Sequence, residues 1–318
     1  MDNKRFLYHG KGIELFLIFL KNIFFTIFTL GIYFFWGRTN IQVYLASRLE
    51  WAGERFSFHG TGKERFIGFL KALGLVIIGA IIVFAIQMAL SFIPVPNLPG
   101  TLSYLIILAI FIGIAPFIIV GKRRYLTSRT GYRNLRFGFD GKALELGKIY
   151  LRGVLLTVVT LGFYYPWFFV EKEKYLASKT RYGNTHFGFQ AHGEEILLLF
   201  VKGFLLSIIT LGIYSFWFRA SIQNYIWNHT SFQEKNFKSD ITGGRILGNF
   251  IISFLIILFT LGFGLAWVVV RTTKLDFETV SLDTEVDFST ISSQPDVSAS
   301  ATSEGIEALA DALESFLG

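Results

Sequence analysis

Apolar residues fall along this chain in long runs separated by short basic and aromatic joints. Residues 66–93 and 101–120 are nearly free of charge and long enough to cross a hydrocarbon core of about 30 Å, and residues 246–270 form a third uncharged run. Pro94, Pro96 and Pro99 break any helix between the first two, so that part of the chain reads as two spans joined by a turn. Elsewhere the runs are shorter. Only 16 residues separate Lys21 from Arg38, and Lys202 from Arg219, which is about 24 Å of helix.

The same break interrupts these runs. TLGIYFFW, from Thr29, returns as TLGFYYPW from Thr160, TLGIYSFW from Thr210 and TLGFGLAW from Thr260, each time with a Trp seven residues after the Thr. Intervals of 50 residues from 160 to 210 to 260 mark a tandem architecture. Each unit opens on a Phe-x-aromatic step and a turn: FLYHG at Phe6, FSFHG at Phe56, FGFDG at Phe137, FGFQAHG at Phe187 and, in degenerate form, FKSDITGG at Phe237. These steps predict short strands followed by turns. The units are residues 1–55, 56–136, 137–186, 187–236 and 237–274, the second expanded to hold the two full spans.

The pattern predicts an all-α integral membrane protein of five tandem units, each a helical hairpin or a broken helix, with short aromatic strands and turns on the cytoplasmic face. Two readings of the short units stand. In the first, each crosses once, which puts the basic joints at 37–65 and 121–143 on the outer side, against the positive-inside rule. In the second, each dips in and returns around a Thr-Leu-Gly tip, which keeps every basic joint on one face and is favoured for that reason.

Composition agrees with a membrane solvent: 52% of residues are hydrophobic, 36 are Phe and 17% are charged. The chain has no Cys, which excludes disulfides, thiolate catalysis and Cys-ligated metals. The first apolar run has no small-residue cleavage site and is expected to be retained. All 30 Lys and Arg lie within residues 1–274, whereas residues 275–318 hold ten acids and no base. A basic body reads as orientation and contact with anionic membrane lipid, and no nucleic acid is expected. The acidic segment 275–318 reads as a disordered tail that ends in a short amphipathic helix, whose face of Ile306, Leu309, Leu313 and Phe316 would suit a protein partner.

Candidate chemistry is sparse. Four arms place a cation at one depth, Lys21, Lys71, Arg152 and Lys202. They read as an anion- or lipid-binding set, and snorkelling to lipid phosphate is the simpler role. The tip glycines Gly31, Gly162, Gly212 and Gly262 permit a tight reversal, or mark interrupted helices of the kind that hold solutes in transporters. His9, His59, Asp140, Gln190 and Asp240 recur at the turns and are expected to bond local backbone rather than a metal. The Trp series suits interfacial belts and helix packing. No nucleophile, metal set, phosphate loop or cofactor motif is expected, and the chain does not read as an enzyme.

The combination of FxFHGTG, an apolar arm carrying a base, TLGIYxxW, RYL or YLAS and a closing RFxF resembles the YjgN-like inner-membrane proteins of bacteria, a family of unknown biochemical function, over residues 6 to about 272. The resemblance implies a multi-pass protein of the bacterial cytoplasmic membrane and supplies no catalytic residue. With the charge pattern, it places the basic joints and the tail in the cytoplasm. Function divides between a transporter, channel or lipid-interacting pathway at the broken helices and a membrane scaffold that recruits a partner through its tail.

Overall fold

The computed structural model of the chain describes residues 5–91, 98–282 and 286–292. Within them the order strand, helix, helix, strand occurs five times: β1 (Phe6–Tyr8), α1 (Gly12–Phe28), α2 (Phe34–Arg48), β2 (Leu49–Trp51); β3 (Glu54–Phe58), α3 (Gly62–Ser91), α4 (Leu98–Arg129), β4 (Thr130–Tyr132); β5 (Leu135–Phe139), α5 (Ala143–Val159), α6 (Tyr165–Ser178), β6 (Thr180–Tyr182); β7 (Thr185–Phe189), α7 (Gly193–Ile209), α8 (Ser215–Asn228), β8 (Thr230–Phe232); and β9 (Lys235–Ser239), α9 (Gly243–Phe259), α10 (Leu265–Glu278), β10 (Val280–Leu282).

The strands correct the all-α expectation. Among the described residues they form one antiparallel sheet of ten strands in chain order, β1 to β10, and a bridge between Arg5 and Ser281 brings its two edges together, so that the sheet nearly closes into a barrel. A three-residue strand has no stability alone. Each gains it from partners on both sides. The first and last strands of a unit pair across the foot of the helical hairpin, and the last pairs with the first strand of the next unit through a two-residue turn. Positive φ at both Arg133 and Asn134, and at both Gln233 and Glu234, gives these turns the primed geometry that matches strand twist.

Alternation turns one aromatic from each of β1 to β9, and Leu282 from β10, into the barrel. The register pairs Phe6 with Trp51, Phe56 with Tyr132, Phe137 with Tyr182 and Phe187 with Phe232, with ring centroids 5.5, 4.7, 4.8 and 4.8 Å apart. Successive Phe rings 6, 56, 137, 187 and 237 stand 6.2 to 6.4 Å from one another around the interior. The Tyr132 hydroxyl donates to the Trp51 carbonyl at 2.6 Å, and that of Tyr182 to the Tyr132 carbonyl at 2.7 Å, so these two buried phenols are satisfied. The barrel interior is a packed aromatic core.

The helices fall into two kinds. α2, α4, α6, α8 and α10 pack against the strands. α1, α5, α7 and α9 carry much of the exposed apolar surface, including Leu17, Phe28, Leu151, Val159, Leu198, Ile209, Phe254 and Phe259. Only α3 and α4 contain stretches long and apolar enough to cross a membrane, Gly62–Ala89 and Tyr104–Arg129, each with mean hydropathy 2.7. The third uncharged run, 246–270, is no span: α9 ends at Phe259 and α10 starts at Leu265. A 17-residue helix reaches about 25 Å, short of the roughly 30 Å core. A many-fold crossing is therefore corrected to two candidate spans among the described residues, flanked by four short hairpins.

The repeated Trp explains how neighbouring hairpins fit. Trp36 lies over Gly62, Trp167 over Gly193 and Trp217 over Gly243, each covering the first helical residue of the following unit, and Trp267 lies over Gly12. A side chain at any of those glycines would enter the indole.

The acidic tail also needs correction. Of residues 275–318, the end of α10, the strand β10 and a 3-10 turn, Phe288–Thr290, are built onto the body, and Val280, Leu282 and Ile291 are buried in the barrel core. Ile306, Leu309, Leu313 and Phe316 lie outside the described residues.

Candidate functional site

Each short hairpin ends in the same tip. The Thr29 hydroxyl donates to the Phe25 carbonyl at 2.7 Å and accepts from the Tyr33 amide at 2.8 Å, so one side chain closes the first helix and starts the second. Thr160 and Thr210 make the same pair of bonds, as does Thr260 with Ile256 and Gly264. After the Thr, Leu30, Leu161, Leu211 and Leu261 hold φ of 49 to 50° and Gly31, Gly162, Gly212 and Gly262 hold φ of 90 to 97°. The left-handed region costs a non-Gly residue about 1 kcal/mol or more. Those four leucines are nonetheless 88 to 94% exposed. A strained, unpacked Leu at every tip has no role in the packing of the chain itself.

Behind the tips stand the predicted cations. Lys21, Arg152 and Lys202 each precede a tip Thr by eight residues, about 12 Å of helix, and all three are exposed. Arg152 is ion-paired with Glu171 on the partner arm, and the Glu171 hydrogen bond raises its pKa further. The Lys71 side chain lies outside the described residues. The tip glycines face open space, not one another across a cavity.

At the foot of the hairpins is a cluster that sequence reading missed. The Tyr44 hydroxyl accepts from the Lys11 amide at 2.7 Å, lies 3.0 Å from the Lys11 carbonyl and 3.1 Å from Glu14, and Glu14 pairs with Arg48 at 2.7 Å. The same set recurs as Tyr175 with Lys142 and Glu145, and as Tyr225 with His192 and Glu195. Glu64 pairs with Arg129, Glu145 with Lys179 and Glu195 with His229. Burial pushes the Tyr175 and Tyr225 hydroxyls up to about 12. Glu14, Glu64, Glu145 and Glu195 all follow their unit's opening Phe by eight residues, and that fixed offset was the available signal. The clusters tie the start of one helix to the end of the next and hold the mouths of the first four hairpins shut.

The turn residues bond across the hairpin rather than to the local backbone expected of them: the amides of His9, His59, Asp140, Gln190 and Asp240 each donate to the carbonyl at the end of the even-numbered helix of their unit. Their side chains take separate partners. His9 meets Glu50, Asp140 meets Arg181 and His186, and Asp240 meets Arg5 at 2.7 Å, which adds to the closure of the barrel.

Between the third and fourth hairpins an open apolar groove of about 680 Å³ runs from the tip at Leu161 and Phe163 along Phe200 and Phe204. It shares Tyr165 and Phe200 with a second groove of about 480 Å³, whose lining includes Arg219, Gln223 and Trp227. Trp227 in turn packs on Phe237 of the barrel interior. One track thus runs from an apolar tip past Arg219, which stands 4.0 Å from Asp276, to Trp227 at the barrel.

Comparison with known proteins adds a family and no function. A family model described as "Bacterial protein of unknown function (DUF898)" matches residues 3–205 and 217–309. The chain belongs to this family. It is the YjgN family, so the resemblance carried by the FxFHGTG and TLGIYxxW motifs was to the right proteins. No curated protein and no solved structure matches the DUF898 chain.

Proposed function

We propose that this DUF898 protein is a membrane protein that handles lipid, with α3 and α4 crossing the bilayer and the four short hairpins entering one leaflet. The exposed leucines at the tips carry the reading: a strained apolar residue held out by a polar cap is a device for reaching into hydrocarbon. Lys21, Arg152 and Lys202 then stand about 12 Å behind the tips, where their long side chains reach phosphate at the membrane surface. Basic joints and barrel share that side, the cytoplasmic one by the positive-inside rule.

Of the roles open to interrupted helices, a lipid pathway is favoured over a solute channel. The breaks are hairpin tips turned outward, and the barrel axis is filled by Phe rings. The joined grooves are apolar at the tip and carry a cation, Arg219, further along, which suits the acyl chains and phosphate of a phospholipid. Its volume is in the range of ligand sites.

Reconstitution tests this. Vesicles holding the protein should move a fluorescent phospholipid between leaflets several times faster than empty vesicles, and Arg219→Gln should cut that rate while leaving incorporation unchanged. Vesicles that contain folded protein yet leave the lipid where it was would rule the pathway out.

A further inference from the structure

We infer that the mouth of the barrel, at its two-residue turns, is a peptide-recognition site, occupied in this structure by the chain's own residues 286–292, and that it takes a segment of another protein with an acidic residue, a Phe next to it and an aliphatic residue three further on. The occupant is held as a ligand would be. Gln233 accepts from the Asp287 amide at 3.2 Å and donates to the Asp287 carbonyl at 3.0 Å, a two-point contact with main chain. Its amide also donates to the Thr290 hydroxyl at 3.1 Å. Asn184 accepts from the Ser292 amide at 3.3 Å. Phe288 is a side-chain anchor: its ring stands 5.6 Å from Trp51 and 5.8 Å from Tyr132, with the Arg133 guanidinium 4.0 Å over its face. Ile291, 7% exposed, is the second anchor. Asp287 shapes the segment by accepting from the amide and hydroxyl of Ser289.

The residues that make these contacts sit where the units differ. The four turns read Ala52-Gly53, Arg133-Asn134, Gly183-Asn184 and Gln233-Glu234. Architecture requires only that each position tolerate positive φ or a tight turn. Yet Arg133, Asn184 and Gln233 supply a stacking cation, an acceptor and a bidentate amide to one short segment. Gly183, at φ +57°, leaves room for the Ser292 carbonyl and the Ile291 side chain where any Cβ would collide. No strand pairing holds residues 286–292; the main chain is bound through side chains, so its exchange need not break the sheet.

The test is made in detergent without lipid, so that its outcome is independent of any lipid role. A protease site is placed at residues 283–285 of the full-length chain, the folded protein is cut, and a fluorescent peptide of residues 286–292 is added. Anisotropy should show saturable binding to the cut protein and at least tenfold weaker binding to the uncut one. Gln233→Ala should weaken binding to the cut protein about tenfold, and a peptide carrying Phe288→Ala and Ile291→Ala should not bind. Three outcomes each overturn the inference: the cut chain keeps its own segment without exchange, it loses its fold on cutting, or it binds a scrambled peptide equally well.

Discussion

Trp267 covers Gly12, joining the last hairpin to the first across 255 residues of sequence. The contact repeats those of Trp36 on Gly62, Trp167 on Gly193 and Trp217 on Gly243, but only this one closes a ring, alongside the Arg5–Ser281 bridge and the Arg5–Asp240 ion pair. The joint between the second and third units is the informative exception. Phe117, in the second unit, stands where the other units have Trp, eight residues before Tyr125 as Trp36 stands eight before Tyr44, and the residue that opens the next helix is Ala143 instead of Gly. At this joint a smaller ring goes with a residue that carries a methyl.

Gly12→Ala should therefore destabilise the protein by about 1 to 3 kcal/mol through overpacking. Gly193→Ala, at an internal joint, should cost a similar amount. A double variant, Gly12→Ala with Trp267→Phe, should recover much of the loss, since the smaller ring leaves room for the added methyl. Thermal unfolding in detergent measures all three. Equal stability of Gly12→Ala and the native chain would mean that the ring is not closed in solution.

At the tip of α7, two substitutions separate backbone strain from membrane contact. Leu211→Gly removes a side chain from the left-handed region and should stabilise the detergent-solubilised protein by about 1 kcal/mol. Because that side chain is 94% exposed, no internal contact is lost. The same change should weaken insertion into vesicles, and Leu211→Asp should weaken it further. If Leu211→Gly inserts as well as the native chain, the tips do not reach hydrocarbon.

The foot clusters give a pH dependence. Tyr175 and Tyr225 have folded-state values near 12 against an ordinary value near 10, so the folded state holds their protons more tightly than the unfolded one. Their contribution to stability is complete below about pH 10 and falls as pH rises towards 12. Tyr175→Phe keeps the ring and removes that titration, and should flatten the alkaline limb of a stability profile measured from pH 9 to 12. It also strands the Lys142 amide, so its stability at pH 8 should be lower by about 1 kcal/mol. An unchanged alkaline limb would place the buried titration elsewhere.

What the sequence made legible was local. Thr-Leu-Gly announces a reversal because hydroxyl cap, left-handed residue and glycine are neighbours in the chain. The two long apolar runs announce their length directly. The sheet was not legible as a sheet, since Phe6 and Trp51, or Phe56 and Tyr132, are register partners separated by an entire helical hairpin. Read one at a time, such steps are only strand-and-turn fragments. Closure was equally hidden, although the recurrence of Trp and Gly was written in the offsets. Composition misled for residues 286–292, where Ser, Thr and Asp suggest a solvated linker. Three apolar side chains, Val286, Phe288 and Ile291, order such a segment where an aromatic mouth is already built to receive them.

The cations offer the last prediction, because their surroundings differ. Lys21 and Lys202 are exposed, and if they serve lipid phosphate, Lys21→Gln and Lys202→Gln should each weaken binding to anionic vesicles by about 1 kcal/mol, additively. Lys71→Gln should behave likewise. Arg152 differs because Glu171 shares its depth and is only 32% exposed, so Arg152→Gln leaves a carboxylate without its counter-charge near the membrane surface. That single change should cost more than either Lys change, and adding Glu171→Gln should restore binding to about the level of Lys21→Gln. Vesicle co-sedimentation at low and high salt reads each step, with the Lys effects shrinking at high salt. Strong non-additivity between Lys21 and Lys202 would instead show that they act on one bound anion, and would move the site from the lipid surface to the space between the hairpins.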